Sequence, residues 1–167
     1  MEDASFLWSR SPNARSMSVE QVFDHVGEEL FVTDWRRVDR SHLDKFHWST
    51  DSTPEASDTS TNALFPRGAD NIDGIMLLSL VQAGFFNNYP FWSPGVVSYN
   101  YGFDRVRFPY TVYLEDELRL RVTLSEATRK ASGVFMRNAV TMEVNGSEKP
   151  ALVAEFLVLA APAIDPP

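Results

Sequence analysis

From Ile75 to Phe86 the chain is nearly all apolar, interrupted only by Ser79, Gln82 and the small Ala83 and Gly84. The length of this run and its scarcity of β-branched residues predict a buried helix rather than a strand. A helix apolar on nearly every side has to be wrapped by other elements, so the rest of the chain must enclose it. The run is shorter than the roughly 18 residues needed to cross a bilayer, so no membrane span is expected.

The segments after the helix read as strands. Val96–Phe108 carries Tyr99, Tyr101, Phe103, Val106 and Phe108. Leu118, Leu120, Val122 and Leu124 alternate with Arg119, Arg121 and Thr123, which predicts a strand with the first set inward and the second outward. Val134–Val144 is a third run, followed by Asn145-Gly146, a hairpin signal. Pro150–Ala160 is apolar on both faces, as in a strand central to its sheet.

Ahead of the helix, Ser18 and Gln21 form a capping-box pattern for a helix with Val19, Val22, Phe23 and Val26 on one face and Gly27 as its stop. Leu30–Val38 predicts a strand. Ser41 and Asp44 repeat the Ser-x-x-acid start for a second short helix carrying Leu43 and Phe46. Residues 49–71, rich in Ser, Thr, Asp and Pro, predict a long loop, and loops of that length in compact domains are usually functional or disordered. Together these readings predict an α+β single domain of about five strands around one long helix, spanning residues 18–161. An arm of residues 1–17, disordered or laid across a partner, precedes it, and a tail of residues 162–167 follows.

Composition narrows the function classes. Fifteen Lys+Arg against 23 Asp+Glu give a net charge of −8 with no basic cluster, so a nucleic-acid partner is not expected. The absence of cysteine excludes a thiol nucleophile and a disulfide scaffold. Three histidines without close spacing predict no metal site, and no cofactor is implied. The N-terminal segment lacks the apolar core of a secretory signal, so a cytoplasmic protein is expected.

One antiparallel sheet rolled around a central apolar helix resembles the hotdog fold. In detail the chain resembles the MaoC-like dehydratases, the (R)-specific enoyl-CoA hydratase branch of that fold, from about Val19 to Leu159. The resemblance rests on Gly27, the segment Trp35–Val38, Leu43 and Phe46, and the helix start Ile72-Asp73-Gly74-Ile75-Met76-Leu77-Leu78-Ser79-Leu80. It continues through Asn100-Tyr101-Gly102-Phe103-Asp104-Arg105-Val106-Arg107-Phe108-Pro109 and Lys149-Pro150-Ala151-Leu152-Val153-Ala154-Glu155. The family's hydratases carry Ser-Gly-Asp-x-Asn-Pro-x-His-x-Asp. Here the same register reads Ser49-Thr50-Asp51-Ser52-Thr53-Pro54-Glu55-Ala56-Ser57-Asp58. Ser49, Asp51, Pro54 and Asp58 match, whereas Ala56 stands in the histidine position. Asp73 stands where the family's helix opens with His-Gly.

The resemblance implies a homodimer with its cleft at the interface. It also implies a hydratase or dehydratase acting on an α,β-unsaturated carbonyl or hydroxyacyl small molecule, free or as a CoA or carrier thioester. Such chemistry needs a base for water, an acid for the α-carbon and donors for the enolate oxygen. Asp51 is the candidate base, and the helix start at Gly74 supplies the donors. Asp73 is either a replacement acid or a residue that complements the helix dipole. Crowded with Asp51 in an apolar cleft, it would have its pKa driven apart from that of its neighbour. His47, four residues before Asp51, is a candidate proton carrier or a packing residue; His25 and His42 are expected at the surface. Asn71, Tyr101 and Arg107 join Gly74 as candidate substrate-binding residues. Arg105 and Arg107 otherwise read as salt-bridge partners, and the aromatics, Trp48, Phe91, Trp92 and Tyr99 among them, as core or as the wall of a pocket for a ring-bearing substrate. Two alternatives stay open: a cofactor-free isomerase or cyclase, and an inactive hotdog subunit serving as a binding partner.

Overall fold

The computed structural model describes Trp8, residues 16–52 and residues 70–163. A 3-10 helix, Val19–His25, leads into strand β1 (Glu29–Val32) and helix α1 (Arg40–Ser49). Strand β2 (Asn71–Ile72) precedes the central helix α2 (Gly74–Asn88). It is followed by β3 (Val96–Arg107), β4 (Val112–Tyr113), β5 (Leu118–Lys130), β6 (Gly133–Val144) and β7 (Leu152–Pro162). Five strands form one antiparallel sheet in the order β1-β5-β6-β7-β3, and β2 pairs with β4. No helix among the described residues is long and apolar enough to cross a membrane.

The alternation in β5 places the sheet's inner face. Leu118, Leu120, Val122 and Leu124 are all fully buried, and Met136, Val140 and Met142 of β6 continue the surface. Phe85 of α2 sits at its centre. Its ring meets Phe31 of β1 edge-on at 5.5 Å and Phe156 of β7 edge-on at 4.6 Å, and stacks on Tyr89 at 5.0 Å. Close approach of helix to sheet requires Gly84, since a Cβ there would stand 2.4 Å from Leu120 Cδ2. Asn138, a buried polar side chain on this inner face, donates through Nδ2 to the Phe156 carbonyl at 3.2 Å.

The opposite face of the sheet is laced with ion pairs. Arg119 and Arg121 both bond Glu143, Arg121 through Nε at 2.7 Å, and Arg121 also reaches Glu29. Burial alone would raise the Glu143 carboxyl, but the hydrogen bonds from Arg121 and Arg119 outweigh it and hold the group below its ordinary range. A carboxylate depressed in the folded state contributes stability that is present above its unfolded pKa and lost as pH falls through the folded one. Glu143→Gln is therefore expected to be less stable than the parent at neutral pH, with the gap closing below about pH 4 in urea titrations.

Several local readings change. The Ser18–Gln21 pairing forms, with Ser18 N–H donating to Gln21 Oε1 at 2.9 Å, but the segment is a 3-10 helix. The second helix starts at Arg40, capped by Asp39, whose Oδ1 accepts from His42 N–H at 2.9 Å; Ser41 already lies inside it. Asn145-Gly146 opens a longer β6–β7 connection, with Ser147 N–H bonding the Val144 carbonyl at 3.1 Å, and the two-residue turn is Ala131-Ser132 between β5 and β6. Strand β1 is shorter than Leu30–Val38. Beyond it, Thr33 Oγ1 accepts from Leu120 N–H at 2.8 Å and Arg36 bridges Leu118, so the segment still tracks β5.

Two corrections bear on assembly. Helix α2 is not enclosed on every side within the subunit. Ile75, Ser79, Gln82 and Phe86, spaced four, three and four apart, form an exposed stripe, with Ile75 at 60% and Phe86 at 81% exposure. In the arm, Trp8 is buried in its own subunit: its carbonyl accepts from Asn87 Nδ2 at 2.7 Å, and its ring lies beside Gly84. Residues 1–7 and 9–15 of the arm, and residues 164–167 of the tail, lie outside the described residues.

Candidate active site

Helix α1 ends in a reversal built by backbone geometry. Asp51 adopts φ 52°, Ser52 N–H bonds the His47 carbonyl at 2.9 Å and Asp51 N–H bonds that of Trp48 at 3.4 Å. This is the Schellman arrangement, with Asp51 in the left-handed position that asparagine and aspartate tolerate better than most residues. Ser49 Oγ and Thr50 Oγ1 donate to the Phe46 carbonyl at 2.9 and 2.7 Å, completing the cap. Asp51 is solvent-exposed, and its carboxylate has no partner among the described residues. His47 is half-buried, with its ring 6.2 Å from that of Phe46. Residues 53–58 of the motif register, Ala56 among them, lie outside the described residues.

Helix α2 begins at Gly74. Asp73 is its N-cap: Oδ1 accepts from Ile75 N–H at 2.7 Å and the carbonyl from Leu77 N–H at 3.1 Å. The Gly74 and Met76 N–H groups are left without partners among the described residues. They form a small cluster of donors at the positive end of a 15-residue helix. Phe108 lies against this start, and a Cβ on Gly74 would stand 3.0 Å from its ring. The site therefore needs glycine for room, not for an unusual φ. Phe108 is a residue that sequence reasoning placed only in a strand; the signal for it was the glycine opposite.

The framework ties the two carboxylates' elements together. Arg40, at the start of α1, pairs with Asp70 just before β2, and Leu114 N–H bonds the Asp70 carbonyl at 3.0 Å. Asn71 is half-buried beside Tyr113 in the β2–β4 pair, two residues before the cap. Among the described residues, no contact brings Asp51 and Asp73 together in the crowded apolar cleft expected for them. Asp51 is exposed, and Asp73 is half-buried with one oxygen held by Ile75.

The dipole reading of Asp73 is the one the geometry displays, and it carries a test. Asp73→Ala is expected to cost about 1 kcal/mol of stability through the lost cap, and Asp73→Asn a few tenths at most. If Asp73→Asn nevertheless lowers turnover, the second carboxylate oxygen acts in the chemistry.

The remaining candidates separate. Arg107 ends β3 next to Phe108, exposed, with its guanidinium donating to the Val106 carbonyl at 2.7 Å and no acidic partner among the described residues. Tyr101 is not brought to Gly74. A bulge between Asn100 and Gly102 turns it out, and its ring meets Phe135 edge-on at 5.7 Å on the sheet face away from α2. Arg105 pairs with Glu155 at 3.2 Å on that same face, as a salt-bridge residue.

No family model matches the chain. It is 31% identical over 150 residues to nodulation protein N of Rhizobium leguminosarum bv. viciae, covering 86% of this chain and 91% of that protein. It is 29% identical over 147 residues to 3-hydroxyacyl-thioester dehydratase Z of Mycobacterium tuberculosis, covering 84% and 94%. Among solved structures, the MaoC-like dehydratase from Rhodospirillum rubrum superposes with a TM-score of 0.64 at 15% identity, over 89% of this chain and all of that one. With its sheet rolled around α2 and these relatives spanning nearly their full lengths, the chain belongs to the MaoC-like dehydratase family and has the hotdog fold.

Proposed function

We propose that this protein is a hydro-lyase that adds water to, or removes it from, an α,β-unsaturated or 3-hydroxyacyl thioester on a CoA or protein carrier. The observation that carries the reading is the pair of N–H groups at Gly74 and Met76, without partners among the described residues, opening an apolar helix beside the Phe108 ring. Donors fixed at a helix N-terminus suit a thioester carbonyl whose oxygen gains charge during reaction. In the hydration direction Asp51 takes a proton from water, the oxygen bonds to the β-carbon, and the carbonyl oxygen becomes an enolate held by the helix start. The enolate then collapses, and the α-carbon receives the proton that Asp51 took from water, given directly or relayed through His47 or the second oxygen of Asp73. Atoms and charge balance without a cofactor. The name of the mycobacterial relative, a thioester dehydratase, supports the same substrate class.

The exposed stripe Ile75, Ser79, Gln82 and Phe86 together with the unpaired edge of β3 supports a homodimer in which a second copy covers α2 and closes the site over Asp51. Phe86→Glu is expected to shift the protein to monomer in sedimentation. Cytoplasmic placement goes with this reading. A second reading, an inactive partner subunit, draws on the exposure of Asp51 and on Asp73 serving as a cap. The two part in heavy-oxygen water. A hydro-lyase converts an enoyl thioester to a 3-hydroxyacyl product carrying the label, whereas an inactive subunit leaves the thioester unlabelled.

A further inference from the structure

Strand register sets an apolar patch on the sheet face away from α2. Thr128, Phe135, Leu159 and Tyr99 stand side by side in one row across β5, β6, β7 and β3. In the next row toward the β5–β6 turn, Lys130 lies beside Gly133, and Ala161 beside Val97. In the row on the other side, Glu126, Arg137 and Leu157 are neighbours, with Tyr101 in the bulge next to them. Residues two apart along a strand share a face, so the three rows form one surface. Val97 and Tyr99 are each 41% exposed on it, and Tyr101 is 64% exposed.

The charges at its border lie on one strand. Lys130 is exposed, with Nζ 5.6 Å from the centre of the Phe135 ring and no carboxylate partner among the described residues. Glu126, four residues earlier on β5, is half exposed; it accepts from Thr128 Oγ1 at 2.8 Å and lies 3.5 Å from Arg137 Nε. A two-fold axis along the central row would turn the Lys130 row of one copy onto the Glu126 row of a facing copy. Lys130 would then meet Glu126 of the other copy, twice. The small Gly133 and Ala161 would face the larger Arg137 and Leu157. Two sheets packed face to face with nearly aligned strands meet in this way. A strongly acidic or basic partner would find both signs here, whereas a copy of the same face answers each charge with its opposite.

We propose that this face joins two dimers back to back into a tetramer, with a two-fold axis along the row of Phe135, Leu159 and Tyr99. Three rows across four strands cover on the order of 400 Å², from strand spacing and rise per residue. A stable interface takes about 800 Å² from each partner, so the patch of one subunit falls short. The dimer proposed above continues the sheet through the edge of β3, which sets two patches on one side and reaches that area. The contact therefore rests on that dimer, and not on the hydro-lyase chemistry. Its charged pair stands on β5, separated from the β3 edge by β6 and β7 and on the face opposite the α2 stripe.

Sedimentation equilibrium on the full chain tests it, with melting temperature as the check on folding. The wild type is expected as a tetramer that dissociates to dimers on dilution. Lys130→Glu and Glu126→Lys each set like charges against one another, and each is expected to weaken the joining of dimers at least about tenfold while leaving the dimer intact. The double variant, Lys130→Glu with Glu126→Lys, exchanges the two charges and is expected to form the tetramer again. A tetramer unmoved by either single variant, or a double variant that stays dimeric, would overturn the proposal. A wild-type dimer that Phe86→Glu splits would overturn it alone and leave the dimer reading standing, whereas a wild-type monomer would overturn both.

Discussion

Asp51→Asn is expected to lower turnover of an enoyl or 3-hydroxyacyl thioester by about 10²–10⁴-fold without changing the fold, the range typical for loss of a general base. Asparagine is the informative replacement because Asp51 sits at φ 52° in the turn that ends α1. Alanine would strain that backbone and confuse a local folding defect with a chemical one. Asp51→Gly supplies the control. It relaxes the left-handed position, so thermal stability is expected to hold or rise while activity falls as far as in Asp51→Asn. Equal activity in all three proteins would remove Asp51 from the mechanism and favour the inactive-subunit reading.

Phe156→Ala is expected to cost about 3–5 kcal/mol in urea unfolding, the range for deleting a buried phenylalanine. The residue is 4% exposed and links three elements. Its ring stacks on Phe103 of β3 at 4.5 Å with an interplanar angle of 14°, and meets Phe85 of α2 edge-on. Its carbonyl also holds Asn138, whose Oδ1 has no partner among the described residues. A cavity at this point would loosen both helix and edge strand, and through them the Phe108 side of Gly74. A loss below about 1 kcal/mol would mean that the helix is held mainly from elsewhere.

Where burial decided the outcome, the residues were readable. The alternation of Leu118, Leu120, Val122 and Leu124 predicted an inner face, and all four are fully buried. The apolar run from Ile75 predicted the central helix, observed as Gly74–Asn88. That run could not tell which of its apolar residues meet the sheet and which meet something outside the subunit, because hydropathy carries no direction. Ile75 and Phe86 therefore looked like core and stand exposed. Tyr101 was misplaced because a single inserted residue reverses the parity of a strand. The Asp51 turn was hidden because helices more often end this way on glycine. Asp73 read equally well as acid or as dipole partner, and only the bond to Ile75 N–H distinguished a cap. Phe108 became visible as a site residue only when its ring was seen against Gly74.

The central claim, that the donors at the start of α2 and the carboxylate of Asp51 make this chain a hydro-lyase, is tested most directly by absorbance. A panel of enoyl thioesters differing in acyl group is mixed with the wild-type protein, and the conjugated chromophore is followed. The account predicts catalytic loss of the chromophore for at least one member, approached from the other side when the 3-hydroxyacyl thioester is supplied. An unchanged chromophore across the whole panel, with folded protein in the cuvette, would contradict it.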